Sequence, residues 1–161
     1  MRMFPLKTLL RRLASEERGT GIMELGIALP VLLLLLLGTV DASRMAAAKI
    51  DLEQAAQRTT DYALAVRPNG NDGTYLQAEA ASAAGVPTSQ VTVDIYLECD
   101  GVRVDFALTC VAGEVRARYV SVEIDDNVET MFDWAALSAV IGSTALPSSI
   151  RVQGDSIVRI Q

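Results

Sequence analysis

Arg18-Gly19-Thr20-Gly21-Ile22-Met23-Glu24-Leu25-Gly26-Ile27-Ala28-Leu29-Pro30-Val31, then six leucines from Leu32 to Leu37 and Gly38-Thr39-Val40, is the stretch that decides the organisation of this chain. Ile22 to Val40 is 19 residues with one charge, Glu24, and no charged side chain from Leu25 onward. At ~1.5 Å of rise per residue, a helix of that length nearly crosses the ~30 Å hydrocarbon layer of a membrane. A soluble helix that is apolar on every side needs a large core around it, and a chain of 161 residues has little to supply one. A secretory signal peptide is the competing reading. Its apolar core is shorter, however, and here Asp41-Ala42-Ser43-Arg44-Met45 continues in helical style, although the Ala46-Ala47-Ala48 triplet leaves cleavage open.

Charge sets the orientation. Residues 1–19 carry Arg2, Lys7, Arg11, Arg12 and Arg18 against Glu16 and Glu17, a net charge of +3, whereas residues 41–161 are net −8. A basic flank ahead of the apolar stretch places residues 1–19 in the cytoplasm and residue 41 onward outside, by the positive-inside rule. The chain has no histidine and two cysteines. That excludes Ser-His-Asp and Cys-His catalysis, imidazole metal sites, all-cysteine zinc sites and iron–sulfur clusters. A formal net charge of −6 argues against a nucleic-acid partner, which needs a basic face to neutralise phosphates. No residue set points to a cofactor, and the reading is of a protein that is not an enzyme.

Glu24 is the residue that needs an explanation, because a carboxylate at the centre of a membrane helix costs ~2.5–3.5 kcal/mol and less near its end. The run Arg18-Gly19-Thr20-Gly21-Ile22-Met23-Glu24 resembles the processing site of type IV prepilins, in which a basic leader ends in glycine and glutamate is the fifth residue after the cut. A cut between Gly19 and Thr20 meets that count; a cut after Gly21 puts glutamate third. The wider run Glu17-Arg18-Gly19, then Met23-Glu24-Leu25-Gly26-Ile27-Ala28-Leu29-Pro30-Val31-Leu32, is similar to the TadE-like tight-adherence pilus proteins, as are Asp41-Ala42-Ser43-Arg44 and Leu52-Glu53-Gln54-Ala55-Ala56. Leu25 stands where Flp-type pilins usually carry tyrosine.

The resemblance implies a minor pilin or pseudopilin that is structural rather than catalytic, processed by a prepilin peptidase after Gly19. Its implied partners are other pilins and minor pilins, the inner-membrane pilus assembly platform and the lipid bilayer. Processing would expose an α-amino group on Thr20, which Glu24 of a neighbouring subunit is placed to neutralise. Pro30 removes a backbone donor and is expected to kink the helix. Two other readings remain open: an unprocessed single-pass protein with an extracytoplasmic ligand-binding domain, and a type II secretion pseudopilin.

Beyond the apolar stretch, Met45, Ala48, Leu52, Ala55, Thr59, Tyr62 and Val66 follow spacings of three and four, so the helix becomes amphipathic and runs to Val66. Pro68-Asn69-Gly70-Asn71-Asp72-Gly73 breaks it. Tyr75–Ala84 reads as a second helix stopped by Gly85 and Pro87. Strands are expected at Val91–Leu97, Arg103–Leu108, Val115–Ile124 and Ile150–Ile160. Asp100-Gly101 forms a hairpin turn, Gly154 a bulge, and Thr130–Ile141 a short helix capping the apolar face of the sheet. The fold class is α+β: a cytoplasmic leader over 1–19, a transmembrane and amphipathic helix over 20–66, and an extracytoplasmic domain with a small antiparallel sheet over 67–161.

Cys99 and Cys110 flank the second strand, and an oxidising exterior favours a disulfide between them. A reactive thiol pair would want Cys-x-x-Cys spacing or a histidine neighbour, and the chain offers neither. The acidic run Glu123, Asp125, Asp126 and Glu129 lacks the oxygen spacing of a calcium loop and reads as a solvated turn. A carboxylate pair for hydrolysis could be drawn from Asp94, Glu98, Asp105 and Asp133, but nothing in the sequence pairs any two of them.

Overall fold

The computed structural model describes residues 18–140, 142–143 and 146–161. The leader expected over 1–19 lies outside them up to residue 17. The chain divides into two compact units, Met1–Val40 and Asp41–Gln161. Helix α1 spans Arg18–Ala65, 48 residues, and includes Pro30. The sequence explains its length: leucine, alanine, glutamine, glutamate and arginine are good helix formers, and glycine or proline pairs are absent until Pro68. The last turn closes with Val66 N–H donating to the Tyr62 carbonyl at 2.8 Å.

Helix α2, Thr74–Ala84, begins where the Asp72 carboxylate accepts from the Thr74 amide (3.0 Å) and hydroxyl (2.7 Å). It ends at Gly85, whose φ of 71° is left-handed, with Val86 N–H reaching back to the Ala81 carbonyl at 3.1 Å. A 3-10 turn at Thr88–Gln90 leads into β1, Val91–Cys99. The Gln77 amide donates to the Thr88 and Val91 carbonyls (3.0 and 2.8 Å), tying α2 to the start of that strand.

The remaining elements are β2 (Val102–Asp105), β3 (Arg116–Glu129), α3 (Trp134–Val140) and β4 (Ser149–Arg159). They form one antiparallel four-stranded sheet in the order β2-β1-β3-β4. The α+β architecture is thus the expected one, an N-terminal apolar helix followed by a small antiparallel sheet. Asp100 (φ 48°) and Gly101 (φ 80°) both take positive φ in the β1–β2 hairpin, as a type I′ turn demands.

The sheet has one face against helix and one face outward. Val91, Ile95 and Leu97 of β1 lie in register with Ile124, Val120 and Arg118 of β3. The core gathers Val120, Val122, Ile124 and Val152 of the sheet with Leu52, Ala55, Ala56 and Ala63 of α1 and Leu76, Ala80 and Ala81 of α2. On the outward face Tyr96 stacks on Tyr119 (centroids 5.5 Å apart), and the Arg103 guanidinium lies 4.0 Å over the Tyr96 ring.

Four details differ from the sequence reading. Within α1, Tyr62 and Val66 are 41% and 46% exposed, while Ala63 is fully buried. A strict seven-residue spacing slips ~20° per heptad around a 3.6-residue helix, so its later members rotate away from the sheet. Gly154 is no bulge: Ile124↔Gly154 sits inside an unbroken register with β3. The glycine is needed because the backbone of α1 lies directly on it, and an added Cβ would come within 2.4 Å of the Leu52 carbonyl carbon.

The acidic run is not a turn, since β3 continues through it to Glu129. Val122, Ile124 and Val128 keep the two-residue period, and β4 supplies the partners: Arg151 holds Asp125 through two hydrogen bonds (2.8 and 2.6 Å), and the Gln153 amide donates to Glu123. Finally, the expected helix over Thr130–Ile141 is only Trp134–Val140 among the described residues. Its buried residue is Ser138, and Val140 is 84% exposed.

Candidate functional site: the apolar helix segment and the Asp41 junction

In the first unit, the residues singled out for processing and assembly all lie in α1. Gly19 and Thr20 follow Arg18 in its opening turn, Glu24 is exposed one turn further on, and Pro30 lies within the same helix. From Met23 to Leu36 the large apolar side chains face outward: Met23 is 73% exposed, Ile27 74% and Leu36 63%. An added Cβ at Gly26 would meet no neighbouring atom, so nothing in the described residues requires that glycine. Thr39 satisfies its hydroxyl by donating to the Leu35 carbonyl at 2.7 Å, the local bond that lets a threonine sit in an apolar helix. By length and composition, this helix can cross a membrane.

In the second unit the sequence reading missed one site. Asp41, the first residue after Val40, is only 4% exposed. Its carboxylate accepts from the Met131 amide (2.7 Å), the Phe132 amide (3.4 Å) and the Trp134 indole N–H (2.7 Å). Phe132 and Trp134 meet edge-on with centroids 4.9 Å apart. A buried carboxylate survives when donors replace its water, and three converge here. The connection after β3 is thereby tied to Asp41. The only signal in the sequence was an acid at the border of an apolar run; its partners lie some 90 residues away.

Cys99 and Cys110 are joined, with Cα atoms 5.5 Å apart. Glu114 lies close to both sulfurs, but these are consumed by the bond, and the Glu114 carboxylate accepts from the Val111 amide at 2.8 Å. The four carboxylates weighed for hydrolysis are put to local use or set apart. Asp94 pairs with Arg103, Asp105 accepts from the Ala107 amide (2.8 Å), and Asp133 accepts from the Ala136 amide at the start of α3 (2.8 Å). Glu98 stands opposite Arg103 in the β1–β2 register. An open groove lined by Asn71, Tyr96, Arg103, Asp105 and Phe106 sits at that edge, its arginine already engaged by Asp94.

Electrostatics outside the helix are set by pairs and caps. The Arg151 guanidinium beside Asp125 holds its carboxyl below the usual carboxylate range, against a smaller opposing effect of burial. Donation from the Thr74 hydroxyl, then from its amide, lowers Asp72 likewise. Both are structural uses of charge at the rim of the sheet and at a helix start.

No curated protein and no solved structure matches this chain. A family model does: the one described as TadE-like protein matches residues 19–61, from the glycine step through the apolar segment into the buried face of α1. The match covers well under half of the chain, and over residues 19–61 the sequence is similar to the TadE-like family.

Proposed function

We propose that the chain is a structural subunit of a tight-adherence type IV pilus system, processed after Gly19 and acting as a minor pilin or pseudopilin. The observation that carries this reading is the coincidence of three features in one segment. The TadE-like match begins at Gly19, Glu24 is the fifth residue from Thr20, and the helix behind them presents its apolar side chains outward. In this reading residues 1–19 are a leader removed by a prepilin peptidase, residues 20–66 are the stem, and residues 67–161 form the domain outside the cytoplasmic membrane.

The chemistry of assembly follows from charge. Removal of the leader leaves an α-amino group on Thr20 with a pKa of ~7.7–8.0, mostly protonated at neutral pH. Among parallel helices in lipid that cation needs a partner, and Glu24 of a neighbour offset by about one turn, ~5.4 Å, supplies it. Loss of either member strands the other charge, so the pair enforces register between subunits.

Glu24→Ala tests the proposal. The variant inserts in the membrane and is processed as before, but fails to enter or support the filament, as read by immunoblots of sheared pili and of membranes. Normal filament incorporation with Glu24 removed would end the assembly role.

A further inference from the structure

We propose that Cys99, Cys110 and Glu114 form a metal site when the disulfide is open, taking a zinc-class divalent cation through two thiolates and one carboxylate. The two sulfurs and a Glu114 carboxylate oxygen lie within 4.8 Å of one another. Zinc bonds of ~2.0–2.3 Å in tetrahedral directions set ligand atoms roughly 3.3–3.8 Å apart, so small side-chain rotations bring the set to that spacing. The chain has no imidazole, and thiolates select zinc over calcium or magnesium. Opening the bond takes two electrons and two protons from a dithiol, which closes to its own disulfide. Binding the ion then releases both thiol protons to water.

The arrangement does not depend on the sulfur–sulfur bond. Cys99 ends β1 between Val102 of β2 and Arg116 of β3. Ahead of Cys110, Asp105 accepts from the Ala107 amide through its carboxylate (2.8 Å) and from the Leu108 amide through its carbonyl (3.0 Å). After Cys110, the Glu114 amide donates to the Val111 carbonyl at 3.1 Å, and the Val111 amide donates to the Glu114 carboxylate at 2.8 Å. The second of these bonds aims the carboxylate, as outer-shell donors do for metal-binding side chains. Cys99 is 9% exposed, Cys110 half-buried and Glu114 exposed. The thiols are thus sheltered, while the carboxylate side admits the ion and a water as fourth ligand. Arg116, in register with Cys99, offsets the surplus negative charge of two thiolates and a carboxylate around a divalent ion.

The test uses the full-length chain in detergent, reduced by a water-soluble phosphine that is then removed without admitting oxygen. The phosphine takes its oxygen from water, leaves two protons on the sulfurs and offers no thiol to compete. Cobalt(II) is the probe, because tetrahedral thiolate coordination gives it an intense sulfur-to-metal charge-transfer band. The reduced chain should bind one cobalt ion with that band, surrender it to added zinc, and show no band while the disulfide is closed. Glu114→Gln, whose amide oxygen can still accept from Val111, should weaken cobalt binding by at least about tenfold. An oxidised Glu114→Gln chain that unfolds in urea at the wild-type midpoint shows that the loss is one of coordination. Absence of the thiolate band from the reduced chain overturns the site. Equal cobalt affinity in the wild type and Glu114→Gln overturns it too, because the sulfurs would then bind without the carboxylate.

Discussion

Replacing Gly154 with alanine should damage the domain more than any other single methyl group added to a glycine that lacks a positive φ. The glycine lies in β4 under α1, where a Cβ would stand 2.4 Å from the Leu52 carbonyl carbon, 2.6 Å from the Glu53 nitrogen and 2.6 Å from the Leu52 Cβ. Carbon atoms pack at ~3.5–4.0 Å, so relief requires a shift of about 1 Å or more. Two of the three opposing atoms are backbone, and no rotamer change moves them. Either the helix lifts or the strand bows. Lifting the helix separates Leu52, Ala55 and Ala56 from Val120, Val122 and Ile124, the contact that holds stem to sheet.

Overpacking of this kind costs about 1–3 kcal/mol, and rigid opposing backbone puts this site at the upper end. The lower entropy of an unfolded alanine returns only ~0.4–1 kcal/mol. A net loss of about 2 kcal/mol, with a urea slope of about 1.5–2 kcal/mol per molar, lowers the unfolding midpoint by about 1 M. Trp134 is the sole tryptophan and reports on this unit, so urea unfolding of the full chain in detergent, followed by its fluorescence, measures the effect. Gly70→Ala is the control, because its Cβ would meet nothing within 4 Å. Equal midpoints for Gly154→Ala and Gly70→Ala would refute the close approach of helix and strand.

Further outcomes are expected in the same assay. The folded-state pKa of Asp125 is depressed by Arg151, so this pair stabilises the domain above the ordinary carboxylate pKa, and that stability is lost as pH falls through the lowered value. Asp125→Asn should therefore reduce stability at pH 7 and flatten its decline below about pH 4; an unchanged acid limb would remove the pair from the account. Converting Cys99 and Cys110 together to serine should cost about 2–3 kcal/mol by freeing a short loop in the unfolded chain. If dithiothreitol leaves the wild-type midpoint where it was, the disulfide contributes nothing to folding.

The elements that could be read from local residues are those whose cause is local. Nineteen residues with one charge read as a helix long and apolar enough to cross a membrane, and Asp100-Gly101 announces its turn because few other pairs accept two positive φ angles. What escaped depends on neighbours distant in sequence. Asp125 and Asp126 read as a turn until Arg151 and Gln153 of β4 are placed beside β3. Gly154 looked like a bulge because nothing near it announces that Leu52 and Glu53 lie on top of it. The heptad spacing in α1 identified Leu52, Ala55 and Thr59 as inward but carried the stripe too far, to Tyr62 and Val66, since only the line of contact with the sheet shows how far the face rotates. Asp41 was passed over for the same reason. Its role is written in Met131, Phe132 and Trp134.

The account stands most directly on the N-terminus of the protein as cells make it. Intact mass spectrometry of the chain extracted from producing membranes should give the mass of residues 20–161, with Thr20 first and the apolar stem retained. A chain that still begins at Met1, or one that has lost the whole stretch through Val40, would contradict it.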